Sequence, residues 1–160
     1  MVKAYLEIQR IRFHDCFSVE YEIERQIEQV RIVKFILQPI VENAVVHGLE
    51  GVDGTGYIRI HIYEKINGTE GTAVQGDTDS GDGCLIIEVS DNGHGMTKKQ
   101  LEEVRNSLKE DSISKHSSIG MSNIDQRIKL CYGNGYGVNI DSVEGEGTMV
   151  TVILPNKSKN

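Results

Sequence analysis

The sequence predicts an α+β fold, a two-layer α/β sandwich in which helices cover one face of a mixed, mostly antiparallel sheet. Strand-like and helix-like segments are interspersed along the chain, and several strand-like segments come as hairpin pairs. Hairpin pairing favours this architecture over a parallel, doubly wound sheet, in which single strands alternate with helices. A length of 160 residues suits one domain with a substantial core.

Strand patterns recur along the chain. Strict alternation of polar and apolar residues predicts half-exposed strands over Ser18–Glu24 and Tyr57–Tyr63. Leu85–Val89 is a mostly apolar run and is predicted to be a buried strand. Val138–Val143 and Met149–Leu154 flank a short glycine-rich connection, which predicts a hairpin.

Helical periodicity is clearest over Lys34–Leu49. Pro39 fits either the first turn of this helix or a kink, and Gly48 suits its end. Val2–Phe13 approximates a helical stripe that begins without a capping residue, which indicates a helix cut from something longer.

Two further helices are predicted, over Lys98–Leu108 and Gly120–Tyr132. Gly133 is expected to end the second of them. The apolar residues expected to face inward on that helix are Met121, Ile124, Ile128 and Leu130.

Composition and charge exclude several classes of protein. The formal net charge of -7 argues against nonspecific nucleic-acid binding, because that binding depends on basic surface. Three cysteines without a Cys-x-x-Cys pair indicate reduced thiols in a cytosolic domain. No apolar run approaches the ~20 residues that span a bilayer, and no signal peptide is visible. Asn67–Gly83 is rich in Gly, Asp, Thr and Ser, and predicts a disordered or mobile loop.

The most informative stretch is the turn Asp91–Met96, which follows the apolar strand. The strand delivers a carboxylate, and the chain then turns on Gly93 and Gly95. One interpretation is an aspartate that merely forms a turn. The other is a carboxylate that accepts a hydrogen bond from an exocyclic amino group, as on adenine. The glycines would then let the backbone lie close to a flat ring.

Asn43 lies inside an otherwise apolar helical segment and shares a face with His47, four residues later. A buried amide must be hydrogen-bonded, so Asn43 either bonds to neighbouring backbone or serves as an oxygen ligand for Mg²⁺. Glu42 beside it would support the metal through water, or is simply solvated.

The segment from Ser118 to Met121 precedes a predicted helix. Free N–H groups at a helix start bind phosphate, although Ser118 as a plain cap is the simpler interpretation. A Gly-x-Gly-x-x-Gly fingerprint after a first strand is absent, and so is a Gly-Lys-Ser/Thr phosphate loop. These absences remove the commonest nucleotide-binding folds.

Four short motifs follow one another along the chain. They are Asn43-Ala44 on a helix, Asp-x-Gly-x-Gly from Asp91, Gly120-Met121 before a helix, and Gly-x-Gly-Thr ending at Thr148. In this order they resemble the Bergerat-fold ATP-binding domain of gyrase-type ATPases, Hsp90, mismatch-repair ATPases and histidine kinases. Leu37–Gly48, Gly120–Ile128 and Tyr5–Phe13 are similar to sensor histidine kinases of the LytS/YesM type. The resemblance covers roughly residues 1–155.

The resemblance implies a pocket for ATP and Mg²⁺. Asn43 would ligate the metal, Asp91 would select adenine, and the hydroxyl of Thr148 would lie near the adenine end. Gly120 would lie on the phosphate side. The residues assigned to the nucleotide in this way are Asn43, His47, Asp91, Gly93, Gly95, Met96, Gly120, Met121 and Thr148.

The chain departs from the family pattern in two informative places. ATPases of this fold that hydrolyse ATP with their own base carry a glutamate four residues before the metal asparagine. Pro39 stands there and cannot accept a proton, which favours a kinase. The family also shows two glycines where this chain has Ser118 and Gly120. Residues 105–117 match the mobile ATP lid, in which Lys115 or His116 would reach the phosphates.

The implied function is that of a protein-histidine kinase catalytic domain, which donates the γ-phosphoryl group of Mg-ATP to a histidine on a separate dimerisation domain. The family's acceptor motif, Asn-Pro-His-Phe-x-Tyr-Asn, contains none of the five histidines. These histidines are His14, His47, His61, His94 and His116. We therefore expect residues 1–13 to be the tail of a connecting helix, residues 14–155 the catalytic domain, and residues 156–160 a disordered tail.

The same resemblance implies a cytoplasmic domain of a homodimeric parent protein in the cell membrane, with a response regulator downstream and no nucleic-acid partner. Two alternatives remain open. A nucleotide-binding module without transfer activity would agree with Ser118, and a self-sufficient Bergerat-fold ATPase is opposed by Pro39.

Overall fold

The structure, a computed structural model, describes residues 6–9, 17–24, 36–48, 55–65, 83–109 and 119–156. The predicted loop Asn67–Gly83 except for Gly83, most of the predicted lid, and Cys16 and His14 lie outside these residues. Within the described ranges, no helix is long and apolar enough to cross a membrane.

A single mixed sheet forms one layer of the molecule. Its strands are β1 (Phe17–Ile23), β2 (Gly56–Lys65), β3 (Cys84–Asp91), β4 (Gly137–Val143) and β5 (Gly147–Pro155). They lie in the order β1-β2-β3-β5-β4. β1 runs parallel to β2, and every other neighbouring pair is antiparallel. The predicted fold class is confirmed.

Helices form the second layer. They are α1 (Leu37–Asn43), α2 (Lys98–Lys109) and α3 (Ile119–Tyr132). A π-helical turn over Ala44–Gly48 continues α1, and Gly48, the residue expected to end the helix, is the last residue that the structure describes in this segment. Pro39 is the third residue of α1, in the first turn, where its missing N–H costs no helical hydrogen bond. Residues 6–9 are also helical, as the sequence predicts.

The core lies between the sheet and the helices. Alternate residues of the strands turn their side chains towards the helices, as Ile58, Ile60 and Ile62 do on β2. Val41 of α1 and Ile128 of α3 pack into the same cluster and are fully buried. Strand alternation and helix periodicity thus bury their apolar faces against each other.

One prediction about which apolar residues of α3 face the core is wrong. Leu130 is 87% exposed, whereas Met121, Ile124 and Ile128 are buried. Leu130 follows Ile128 by two residues, which turns its side chain roughly 200° around the helix axis and away from the sheet.

The edge strand β4 is held by side chains from two helices. Asp125 on α3 is buried, and its Oδ1 accepts a hydrogen bond from the N–H of Val138 at 2.8 Å. Arg105 on α2 donates from Nε to the carbonyl of Ile140 at 2.9 Å and pairs with Asp141. These contacts provide hydrogen-bond partners for backbone groups on the free edge of β4, and they fix both helices to the sheet.

The outer face of the sheet carries a separate polar network. Tyr63 donates to Glu88 Oε1 at 3.0 Å and stacks on His61, whose Nδ1 lies 3.5 Å from Glu88 Oε2. Burial and the neighbouring carboxylate raise the pKa of Tyr63 to about 12. This network lies on the face that the helices leave uncovered.

Candidate functional site

Asp91 is the last residue of β3 and faces the helical layer. Its Oδ1 accepts a hydrogen bond from the N–H of Gly93 at 2.9 Å. Burial raises the pKa of the Asp91 carboxyl above its ordinary value, and the backbone N–H groups of Gly93 and Thr148 oppose this shift in part. A partly buried carboxylate therefore stands at the end of the strand, as the sequence predicts.

Asp91, Thr148 and Ser142 form one cross-strand row at this end of the sheet. Asp91 is paired with Thr148 across β3 and β5, and Thr148 is paired with Ser142 across β5 and β4. Directly paired residues carry their side chains on the same face. The row thus places a carboxylate and two hydroxyl groups side by side under the helical layer.

Ser142 connects this row to the turn that follows β3. Its Oγ lies 2.9 Å from the backbone nitrogen of Met96, 2.8 Å from the carbonyl oxygen of Gly147 and 2.9 Å from Thr148 Oγ1. Nothing in the local sequence around Ser142 indicates this role, because its partners come from other segments.

Two glycines let the turn after β3 lie directly against the β4–β5 hairpin. Gly95 has φ +62, and a Cβ there would lie 2.0 Å from the carbonyl oxygen of Val143. Gly147 has φ +117, and a Cβ there would lie 2.0 Å from the carbonyl oxygen of Asp91. The N–H of Gly145 donates to the carbonyl of His94 at 2.7 Å. Glycine at both positions is needed for this close contact of backbones.

Asn92, which the sequence reasoning did not single out, anchors the other side of the turn. Its Oδ1 accepts from the N–H of Tyr57 at 2.6 Å, and its backbone N–H donates to the Tyr57 carbonyl at 3.2 Å. Its Nδ2 donates to the Thr55 carbonyl at 3.4 Å. Asparagine side chains often form hydrogen bonds to the backbone in turns, and this tendency could have identified Asn92 from the sequence.

Asn43 and Gly120 meet on the helical side. Asn43 is the last α-helical residue of α1 and is half-buried, and the π-helical turn follows at once. A Cβ on Gly120 would lie 4.0 Å from Asn43 Nδ2, so the start of α3 lies beside the asparagine side chain. The turn Ala44–Gly48 packs on β3 and β5. Single π-helical turns are frequent at functional sites.

The remaining predicted site residues differ in their surroundings. Met121 is buried in the core, and Met96 packs against that core. Glu42 accepts a hydrogen bond from Gln38 Nε2 at 2.9 Å. The side chain of His47, together with Lys115, His116 and Ser118, lies outside what the structure describes.

Arg105, predicted as the start of the lid, belongs to α2 and is bound to β4, so the predicted lid boundary was too early.

An open cleft of about 560 Å³ lies around β4, lined in part by Tyr63, Glu88 and Lys129. Its lining includes neither Asn43 nor Asp91. The residues that the sequence predicts to bind nucleotide do not line this cleft.

Comparison with known proteins identifies the family of this chain. A family model described as "Histidine kinase-, DNA gyrase B-, and HSP90-like ATPase" matches residues 28–158. The chain is 31% identical over 156 residues to the sensor histidine kinase YpdA of Escherichia coli (strain K12), covering 98% of this chain and 23% of the relative. It is 30% identical over 159 residues to the sensor histidine kinase YesM of Bacillus subtilis (strain 168), covering 99% and 23%.

A solved structure shares the fold. The mycobacterial sensor histidine kinase MprB superposes with a TM-score of 0.57 at 17% identity, over 96% of this chain and 92% of that chain. The chain spans about a quarter of the length of the curated relatives that it matches.

Proposed function

Since the chain belongs to the family of histidine kinase-, DNA gyrase B- and HSP90-like ATPases, we propose that it is the ATP-binding catalytic domain of a sensor histidine kinase. It binds Mg-ATP and donates the γ-phosphoryl group to a histidine on a separate domain. The relatives whose names describe sensor histidine kinases align with this chain over nearly its whole length.

The pairing of Asp91 with Thr148 at the end of β3 is the observation that carries the proposal. Asp91 accepts a hydrogen bond from the adenine amino group, and the hydroxyl of Thr148 lies near the same end of the base. The backbone of Gly93, Gly95 and Met96 borders the ring. Partial burial of Asp91 supports this role, because a hydrogen bond shielded from water discriminates more strongly between bases.

Asn43 and Gly120 form the phosphate side of the proposed pocket. The side-chain oxygen of Asn43 is a ligand of the kind that Mg²⁺ prefers, and Glu42 supports the metal through water. The N–H groups at the start of α3, from Gly120 and Met121, favour bound phosphate. His47 completes the set of proposed pocket residues. When bound, Mg²⁺ would neutralise charge that develops on the phosphates.

Pro39 supports a kinase over a self-sufficient ATPase. It lies one helical turn before Asn43 in α1. The side chain of a proline cannot take a proton from an attacking water. Phosphoryl transfer depends mainly on positioning and charge neutralisation, so the nucleophile and its base can come from another domain. The proposed partners are a histidine-bearing dimerisation domain of a homodimeric membrane parent and a response regulator.

Calorimetric titration with Mg-ATP tests nucleotide binding. We expect saturable binding that falls at least about tenfold in Asp91→Asn, because a carboxylate that accepts a donor is replaced by a neutral amide. Asn43→Ala should remove the dependence of binding on Mg²⁺. Asn139→Ala, an exposed amide on β4, is the matched control and should bind like the wild type.

Adding a histidine-bearing domain from the matching parent protein, with radiolabelled ATP, tests transfer. Acid-labile phosphohistidine on the added domain supports the kinase. Absence of binding at millimolar nucleotide would refute the whole proposal. Rapid phosphate release by the chain alone, abolished by Asn43→Ala, would indicate an ATPase.

A further inference from the structure

The free edge of β4, the last strand in the sheet order, is only partly covered by the helices. Asp125 of α3 accepts a hydrogen bond from the N–H of Val138 at 2.8 Å. Arg105 of α2 donates from Nε to the carbonyl of Ile140 at 2.9 Å. In a strand, the N–H and the C=O of one residue point to the same side. The carbonyl of Val138 and the N–H of Ile140 therefore also point to this edge, between the two helix side chains.

These two backbone groups have no hydrogen-bond partner among the residues that the structure describes. A groove of about 410 Å³ between α2 and α3 opens onto them, and Val138, Asn139 and Ile140 contribute to its β4 side. Its lining includes neither Asn43 nor Asp91, so the groove is separate from the proposed nucleotide pocket. It thus presents one backbone acceptor and one backbone donor to a ligand.

An acceptor and a donor at this spacing fit one residue of an added parallel strand. In a parallel ladder, the C=O of residue i and the N–H of residue i+2 bond to the N–H and the C=O of a single residue on the neighbouring strand. Val138 and Ile140 are related in this way, so two hydrogen bonds would hold the ligand residue opposite Asn139. An antiparallel strand would use the N–H and the C=O of each outward residue, but one group of each is already bonded to a helix side chain.

Positive charge lines the same groove. Arg105, Lys109 and Lys129 face two carboxylates there, and each carboxylate already pairs with a cation. Lys109 is exposed in the last turn of α2 and has no ion-pair partner in the part of the chain that the structure describes. The whole chain has a net charge of -7, so this excess of positive charge is local. It favours a ligand that carries carboxylates.

We propose that this groove binds an extended acidic segment of a partner protein, which adds to β4 as a parallel strand and is held by Val138 and Ile140. Main-chain hydrogen bonds supply affinity in strand addition, and side chains supply specificity. Here the carboxylates of the segment pair with Lys109 and Lys129. The groove is a second binding site, and its occupation does not require a bound nucleotide.

NMR titration with a blocked peptide of alternating glutamate and valine tests the proposal. Saturating peptide should slow hydrogen exchange of the Ile140 amide at least about tenfold, because a ligand carbonyl accepts from it. The amide of Val138, already bonded to Asp125, should change less. A peptide with lysine in place of every glutamate should bind at least about tenfold more weakly.

Charge reversal at Lys109 locates the site. Lys109→Glu should weaken binding of the acidic peptide about tenfold or more, because it places a carboxylate in the groove. Lys99→Glu is the matched control, since Lys99 is exposed in the first turn of the same helix and does not line the groove. It should bind like the wild type. The lysine peptide should show the opposite order and bind Lys109→Glu more tightly than the wild type.

N-methylation of the peptide separates strand addition from simple charge attraction. Only alternate residues of an added strand direct their N–H groups to β4. Methylating every valine nitrogen and methylating every glutamate nitrogen should therefore give two peptides whose affinities differ at least about tenfold.

Each contrary result has a clear meaning. Equal affinities of the two methylated peptides, or an Ile140 amide that saturating peptide does not protect, would overturn strand addition. Equal losses in Lys109→Glu and Lys99→Glu would show that the groove is not the site. Absence of binding at millimolar peptide would overturn the proposal as a whole. Binding of Mg-ATP is measured separately, so failure of this inference leaves the proposed function standing.

Discussion

Gly147 and Asp91 touch through their backbones: a Cβ on Gly147 would lie 2.0 Å from the carbonyl oxygen of Asp91. Gly147 also has φ +117, a conformation that residues with side chains rarely adopt. The contact joins the end of β3 to the start of β5, where the proposed base-binding residues lie.

Replacing Gly147 by alanine should therefore be severely destabilising. The added methyl group must push two backbone segments apart, which we expect to cost about 3 kcal/mol or more. Gly145→Ala is a sharp control, because φ is +82 there but a Cβ would meet nothing within 4 Å. It should cost only about 1 kcal/mol of backbone strain. Urea denaturation of both variants measures the difference, and equal losses would contradict the close contact.

Asp91→Asn should stabilise the ligand-free protein in a pH-dependent way. The folded-state pKa of Asp91 lies above its ordinary value of 3.8, so the folded state binds this proton more tightly than the unfolded chain does. The wild type therefore loses free energy of unfolding as pH rises from about 3.8 through the folded pKa. Asparagine does not ionise and avoids this loss.

The free energy of unfolding of Asp91→Asn minus that of the wild type should thus increase with pH and level off above the folded pKa. Denaturant unfolding between about pH 3 and pH 8 measures it. At neutral pH, saturating Mg-ATP should make the wild type more stable than Asp91→Asn, because the ligand stabilises chiefly the protein that binds it. A difference that stays constant, or falls with rising pH, would show that burial does not penalise the Asp91 charge.

Asp125 should prove essential for holding α3 against β4. It is 2% exposed, accepts from Val138 N–H, and has Lys129 Nζ 2.5 Å from Oδ2. Asp125→Ala leaves a buried N–H without its acceptor and removes the partner of Lys129, at an expected cost of about 2–4 kcal/mol. Asn123→Ala, on the exposed side of the same helix, should change stability by about 0.5 kcal/mol or less.

Hydrogen exchange of Val138 provides a second measure of this contact. Its amide proton should exchange faster in Asp125→Ala than in Asn123→Ala, relative to the global unfolding of each variant. Unchanged protection of Val138 would mean that the carboxylate does not hold the strand edge.

Local pattern predicts the secondary elements of this chain well. Strand alternation over Ser18–Glu24 corresponds to β1, and the apolar run from Leu85 corresponds to β3. A local pattern gives a wrong prediction where the surroundings of a residue depend on contacts with distant segments or on its exact position around a helix. Leu130 is apolar in an amphipathic helix, yet its position around the helix axis points it to solvent. The resemblance assigns Arg105 to the mobile lid, but Arg105 belongs to α2 and its side chain donates a hydrogen bond to β4.

By itself, the sequence determined the α+β class, the helix and strand positions, and the motifs around Asn43, Asp91, Gly120 and Thr148. These follow from periodicity, turn residues and resemblance, which act over a few residues at a time. Only the tertiary structure decided that Ser142 neighbours Thr148 and Asp91 in one row, and that Asn92 anchors the turn. Those contacts depend on strand order and register, and insertion of β5 between β3 and β4 is set by packing of the whole sheet, which no local pattern records.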